Sequence, residues 1–268
     1  MRFIPITSVC LSLFAQGAYA HETWLEPRNY QITSGQTLEA DIRNGEGFSG
    51  FRLAYMPAKQ QRLDLVIDRN VLPVDGRLGD IPAVSMMPSE DGLAVLAYVS
   101  TQNKLNYTEA EKFRNFCTHK DFPEVLEQHE ARGLPETGFS EGYTRFSKAL
   151  VAVGDAQGAD SNLGMEIELV ARDNPYQPDF DGVMDVELYY QGALRPDAQI
   201  EIFERAPDGT VKITTTRTDE NGIGAVPVKP EHVYLLDSVV MREPDAATAE
   251  ANGIVWESLW AALTFTVR

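Results

Sequence analysis

The groups in this chain that could hold a metal or move a proton are its four histidines, a cysteine at 117 and 40 acidic residues. His21 has the most distinctive position. Arg2, the apolar stretch 9–15 and Ala18-Tyr19-Ala20 predict a secretory signal peptide over residues 1–20, cleaved after Ala20. His21 then begins the mature chain, and its free α-amine and ring Nδ1 form a chelate from one residue. Such a pair suits a borderline transition metal: copper, nickel, cobalt or zinc. Two donors do not complete a site, so further ligands must come from elsewhere. His119 lies in the polar connection Cys117-Thr118-His119-Lys120-Asp121 and suits either a ligand or a surface residue. His129 shares a helical face with Phe122, Val125 and Leu126, a setting that favours a hydrogen-bonded core histidine over a ligand. His232 sits at a turn before a strand and reads as structural. The metal set read from the sequence is therefore His21, His119 and His129, with carboxylates nearby.

Other chemistry has little to stand on. No GxSxG, HExxH, CxxC or phosphate-binding glycine loop occurs, which argues against hydrolase and nucleotide enzymes. Cys10 falls in the signal without a lipobox before it. Cys117 is then the single mature cysteine, either buried or a soft ligand, with burial favoured, and no intrachain disulfide can form. Trp24, near Pro27, is placed to anchor the new N-terminus, which a metal site there would need. Trp24, Trp256 and Trp260 could stack on sugars, but their apolar neighbours suit core packing better.

Removing 20 of 268 residues leaves 248, enough for one large or two ordinary domains. A hydrophobic fraction of 43% with 24% charged residues is that of a globular chain. The net charge of −17 becomes −18 once Arg2 is lost, which repels nucleic acid and anionic headgroups and concentrates cations. No apolar run after the signal is long enough to span a bilayer.

The elements that must position these residues fall into three regions. Residues 21–105 alternate as strands, with turns at Asn44-Gly45, Asp75-Gly76 and Asp91-Gly92, and predict an N-terminal β-sandwich domain. Residues 106–153 predict a helical insert. Thr108-Glu109-Ala110-Glu111 reads as a capping box opening one helix, residues 121–124 open a second that ends at Gly133, and 140–150 form a third helical piece. Residues 154–268 carry about seven short strands and predict an immunoglobulin-like or transthyretin-like sandwich, with a mobile loop at 243–253. The expected fold class is mainly β: two β-sandwich domains with an α-helical insert between them.

Three stretches resemble a family of exported bacterial proteins, the domain of unknown function 4198, linked to periplasmic components of nickel and cobalt transport. His21-Glu22-Thr23-Trp24-Leu25-Glu26-Pro27 is similar to the family's Ala-His-x-x-Trp-(Leu/Ile)-x-Pro opening. Glu168-Leu169-Val170-Ala171-Arg172-Asp173-Asn174-Pro175-Tyr176 is similar to its Glu-Leu-Val-Pro-x-x-(Asn/Asp)-Pro-Tyr segment, with Ala171 where proline is usual. Thr218-Asp219-Glu220-Asn221-Gly222 is similar to its Thr-Asp-x-x-Gly turn, and 141–148 also resembles the family. The resemblance implies a β-sandwich architecture, a periplasmic location and divalent-metal handling at His21, with a membrane transporter component as partner. The leading expectation is a non-enzymatic protein that binds nickel or cobalt for uptake or delivery, with copper or zinc as other candidate metals. Two rivals stay open: a copper histidine-brace oxidative enzyme, which needs a second histidine beside His21, and a module that binds a protein or polymer.

Overall fold

Strand Gly92–Ser100 is buried at all nine positions, and strand Phe139–Val153 at nearly all of its length. A strand with both faces buried lies between two layers, so its alternating side chains must serve two different cores. That is what the structure, a computed structural model describing residues 21–268, shows; the predicted signal peptide lies outside the described residues. Ala94, Leu96, Ala149, Val151 and Val153 join one apolar cluster, while Val95, Val99, Phe146, Leu150 and Ala152 join another.

Among the described residues three sheets form. The central one has ten strands. Its path runs Val211–Arg217, Gln199–Arg205, Val233–Arg242, Trp256–Thr266, Phe139–Val153, Gly92–Ser100, Gln60–Ile67 and Asn70–Pro73. Phe139–Val153 and Trp256–Thr266 pair in parallel, with Arg145 opposite Trp260. A four-stranded sheet of Glu22–Pro27, Leu38–Glu46, Ser49–Leu53 and Val84–Met86 covers one face at the N-terminal end. Another, of Ile167–Ala171, Val183–Tyr190, Ala193–Leu194 and Ile223–Pro227, covers the opposite face. The protein is mainly β, with sheets packed as in a sandwich, as expected.

Helices α1 (Ala110–His119) and α2 (Pro123–Ala131) form where the apolar spacing predicts them. They pack Phe113, Phe116, Cys117, Phe122 and Val125 against Trp256 and Trp260. Gly133, at φ +64°, follows α2 as expected. The two capping boxes do not form: Glu109 and Phe122 occupy the cap positions and neither makes a side-chain cap hydrogen bond. Residues 140–150 are strand rather than helix. Burial on both faces removes the polar-apolar alternation that marks an ordinary strand, and the spacing of Arg145 and Lys148 imitates a helical face. The predicted loop at 243–253 contains a third helix, α3 (Ala246–Asn252), capped by Asp245 through Thr248 N. No helix among the described residues is long and apolar enough to cross a membrane.

The stretches that resemble the family are architectural. Glu168 is fully buried, accepts from the main chain of Leu163 and Met165, and pairs with Lys148 Nζ at 3.0 Å; Asp160 approaches the same ammonium at 2.6 Å. Asn174 binds the carbonyls of Ala156 and Gly158, and Tyr176 donates to Leu150 O. In the 218–222 turn Asp219 accepts from the main chain of Asn221 and Ile223. Gly222 has φ +73°, and a Cβ there would stand 2.9 Å from Leu194 Cβ. Removing Lys148 would strand two buried carboxylates. Lys148→Met should lower unfolding free energy by about 3–5 kcal/mol in urea titrations, the usual cost of breaking a buried pair; a loss below about 1 kcal/mol would show that the triad does not hold the two layers together.

Candidate functional site

His21 is exposed, but the strand that follows it is not. Glu22–Pro27 alternates sharply: Glu22, Trp24 and Glu26 face the C-terminal strands, while Leu25 enters the N-terminal core. One edge pairs with Leu38–Glu46, Glu22 lying opposite Gly45. Carbonyls on the other edge accept from buried hydroxyls, Thr23 O from Ser147 at 2.8 Å and Leu25 O from Thr264 at 2.6 Å. Asn44 Nδ2 binds Glu22 O and Thr23 Oγ1. Trp24 packs with Phe48 and Phe203, and Glu26 meets Arg205 at 2.6 Å. The expected anchor is therefore in place, with carbonyls on its outer edge held by buried hydroxyls.

Behind His21 opens a cavity of about 260 Å³, set between the start of this strand and α1. Asn44, Phe116 and Tyr143 wall it, with Glu141, Arg145 and Trp260 from the paired central strands beneath. Glu141 accepts from Tyr107 at 2.6 Å and from Ser258, and burial pushes its carboxyl above the ordinary range. The Arg145 guanidinium lies 3.8 Å from the Trp260 ring centre and 5.0 Å from that of Tyr143. It is 6% exposed, and neither Nε nor Nη1 has a hydrogen-bond partner.

Next to the cavity is a buried charge cluster. Lys120 Nζ lies 2.7 Å from Glu201, 2.8 Å from Asp237 and 3.5 Å from Glu22. Burial opposes the Lys120 charge, but the carboxylates outweigh it and hold the ammonium protonated. Burial also lifts Glu22 from 4.5 to about 7; Lys120 offsets part of this, and Asp237 and Glu201 add to it. Burial works against the charge on Glu201 as well, yet the hydrogen bond from His119 and the Lys120 charge hold that carboxyl below its ordinary range.

The three histidines of the sequence-derived metal set do not converge. His119 Nε2 lies 3.0 Å from Glu201 Oε1. His129 is in the helical core among Phe113, Phe139 and Trp256. Its Nδ1 accepts from Trp256 Nε1 at 2.9 Å and its Nε2 donates to Pro135 O at 2.9 Å, so both ring nitrogens are occupied. That leaves His129 no nitrogen for a metal and corrects its reading as a ligand. Cys117 is buried, as favoured, and burial pushes its thiol up to about 12. Among the described residues no group of three or more His, Cys, Asp or Glu is arranged to hold a metal. Arg145, Glu141 and Lys120 were given no role from the sequence; Glu141 and Arg145 lie in the family-like stretch 141–148, which was misread as helix, and Lys120 stands in no motif.

A family model described as a domain of unknown function (DUF4198) matches residues 18–242. The chain belongs to this family. No curated protein matches the sequence. The matched span takes in His21, the cavity floor on Phe139–Val153 and the Lys120 cluster, but ends before Trp256 and Trp260.

The raised Glu22 carboxyl has a definite effect on stability. Between about pH 4.5 and 7 the folded chain binds the proton that the unfolded chain has released, so this group's contribution to stability falls as pH rises. The melting temperature of the wild type should fall more steeply from about pH 5 to 7.5 than that of Glu22→Gln. Parallel curves would mean that Glu22 does not titrate there.

Proposed function

We propose that this is an exported metal-handling protein whose mature N-terminal histidine chelates a divalent transition metal, with nickel or cobalt as its cargo. The observation that carries this reading is the position of His21: exposed, at the rim of a cavity, immediately before a strand whose six residues are paired and almost wholly buried. A chelate needs a fixed backbone, and this one is held by Asn44, Trp24 and Glu26. An amine and an imidazole nitrogen suit nickel, cobalt or copper. His129 contributes no donor, and His119 is engaged with Glu201. The protein thus offers a partial coordination sphere, which suits a cargo that must later be released. Delivery to a membrane transporter component would be the next step.

The test is calorimetric titration with Ni²⁺, Co²⁺, Cu²⁺ and Zn²⁺ on protein beginning at His21. A Kd near 1 μM or tighter, about −8 kcal/mol, is expected for nickel or cobalt. His21→Ala, or a chain that keeps Ala20, should bind at least about tenfold more weakly, a loss of about 1.4 kcal/mol. Equal, weak affinity in all three proteins would overturn the reading.

A further inference from the structure

Three cations are buried among the described residues: Lys120, Arg145 and Lys148. Lys148 is neutralised by Asp160 and Glu168, and Lys120 by Glu22, Glu201 and Asp237. Arg145 makes no ion pair with any described residue. Its Nε and Nη1 lack acceptors although the side chain is buried, as theirs are. Taking a guanidinium out of water is costly, and each buried hydrogen bond left unmade adds to that cost. The other two sites show how this fold meets such a cost when the partner belongs to the chain.

None of the carboxylates in electrostatic range of Arg145 is hydrogen-bonded to its guanidinium, although Glu22 Oε2 is itself without a partner. Asp237 accepts from Lys120, Glu141 accepts from Tyr107 and Ser258, and Glu22 lies with Lys120. The side chain lines the cavity behind His21, so an acceptor arriving from outside can reach it. Trp260 and Tyr143 lie against the guanidinium and offer it ring contacts but no hydrogen-bond acceptor for Nε or Nη1. That planar fork matches a carboxylate better than any other side chain does.

Size and lining narrow the occupant. About 260 Å³ is just below the ordinary range for small-molecule sites, so the ligand has on the order of ten non-hydrogen atoms. The walls mix amides (Asn44, Asn106) with apolar groups (Leu105, Phe116), which suits an organic skeleton more than a bare inorganic anion. We propose that the cavity behind His21 binds a small organic carboxylate, held by the Arg145 guanidinium between Tyr143 and Trp260. This goes beyond the metal reading and does not depend on it, because the anion site is built from Arg145 and the cavity floor.

The experiment is calorimetry and thermal shift on metal-free protein beginning at His21, with citrate, succinate, inorganic phosphate and the uncharged succinamide as probes. Citrate or succinate should bind and raise the melting temperature, with phosphate and succinamide at least tenfold weaker. Arg145→Met should lose at least tenfold in carboxylate affinity while melting at or above the wild-type temperature, because it removes an unpaired buried charge. Leu105→Trp, at a half-exposed position on the wall, should obstruct the cavity and weaken binding without touching Arg145. The proposal fails if neither carboxylate binds, if phosphate or succinamide binds as tightly, or if both variants bind like the wild type. Since no metal is present, none of these outcomes depends on whether His21 holds one.

Discussion

The Lys120 ammonium and its three carboxylates seat the N-terminal strand on the rest of the molecule. Glu22 comes from that strand, Glu201 and Asp237 from two central strands, and Lys120 from the residue that ends α1. The charges are far apart in sequence and almost wholly excluded from water, so none can be satisfied unless all four elements meet. A buried pair of this kind adds little net stability over an apolar replacement, but an incomplete one is severely destabilising. Its effect is to select one arrangement. Glu22, Trp24 and Glu26 face Glu201, Phe203 and Arg205, and sliding the strand by one residue would turn Thr23 and Leu25 to that side. Lys120 also sets α1, whose Phe116 stacks on Trp260 at 5.5 Å and walls the cavity.

The double burial of the central strands explains where the remaining charges go. In Phe139–Val153, Glu141, Tyr143, Arg145 and Ser147 turn toward the N-terminal strand, whereas Phe146, Lys148 and Leu150 turn toward the C-terminal sheet. Arg145 and Lys148 are three residues apart and both buried, yet they enter different layers. One layer supplies Asp160 and Glu168; the other supplies aromatic rings and a cavity. The same strand therefore carries one cation that completes the fold and another that the fold leaves incomplete.

The overall architecture was legible because strand alternation and turn residues such as Asn44-Gly45 are local signals, and so is the apolar spacing of Phe113, Phe116 and Cys117 in α1. Trp24 and Cys117 were also placed correctly, since large apolar groups and lone thiols have few alternatives to burial. Legibility ended where a residue's role depended on distant partners. The helical face of His129 fits a core residue or a ligand, and the contact that decides between them, Trp256 Nε1 donating to its Nδ1, comes from 127 residues away. Phe139–Val153 lost its strand signature because polar residues on either face find partners inside the protein. The family-like stretches made the chain recognisable, and the two in the C-terminal part mark turns and buried pairs: Glu168, Asn174 and Asp219 all serve the main chain or Lys148.

Arg145 also bears on what an acidic surface means for this protein. A net charge of −17 raises the concentration of cations near the surface and lowers that of anions. Such long-range effects are screened within about 8 Å in physiological salt, while a contact inside a water-excluded cavity is hardly screened. The outer field and the cavity floor therefore select for opposite charges at different distances. His21 stands where these two regimes meet, exposed to the solvent that supplies cations and on the wall of the cavity that holds the guanidinium. A ligand carrying charge of both signs satisfies both, and a bare anion must first overcome the field of 40 acidic side chains. The cavity's selectivity then rests on its interior hydrogen bonds and aromatic contacts, which is where the protein has left its one unpaired buried cation among the described residues.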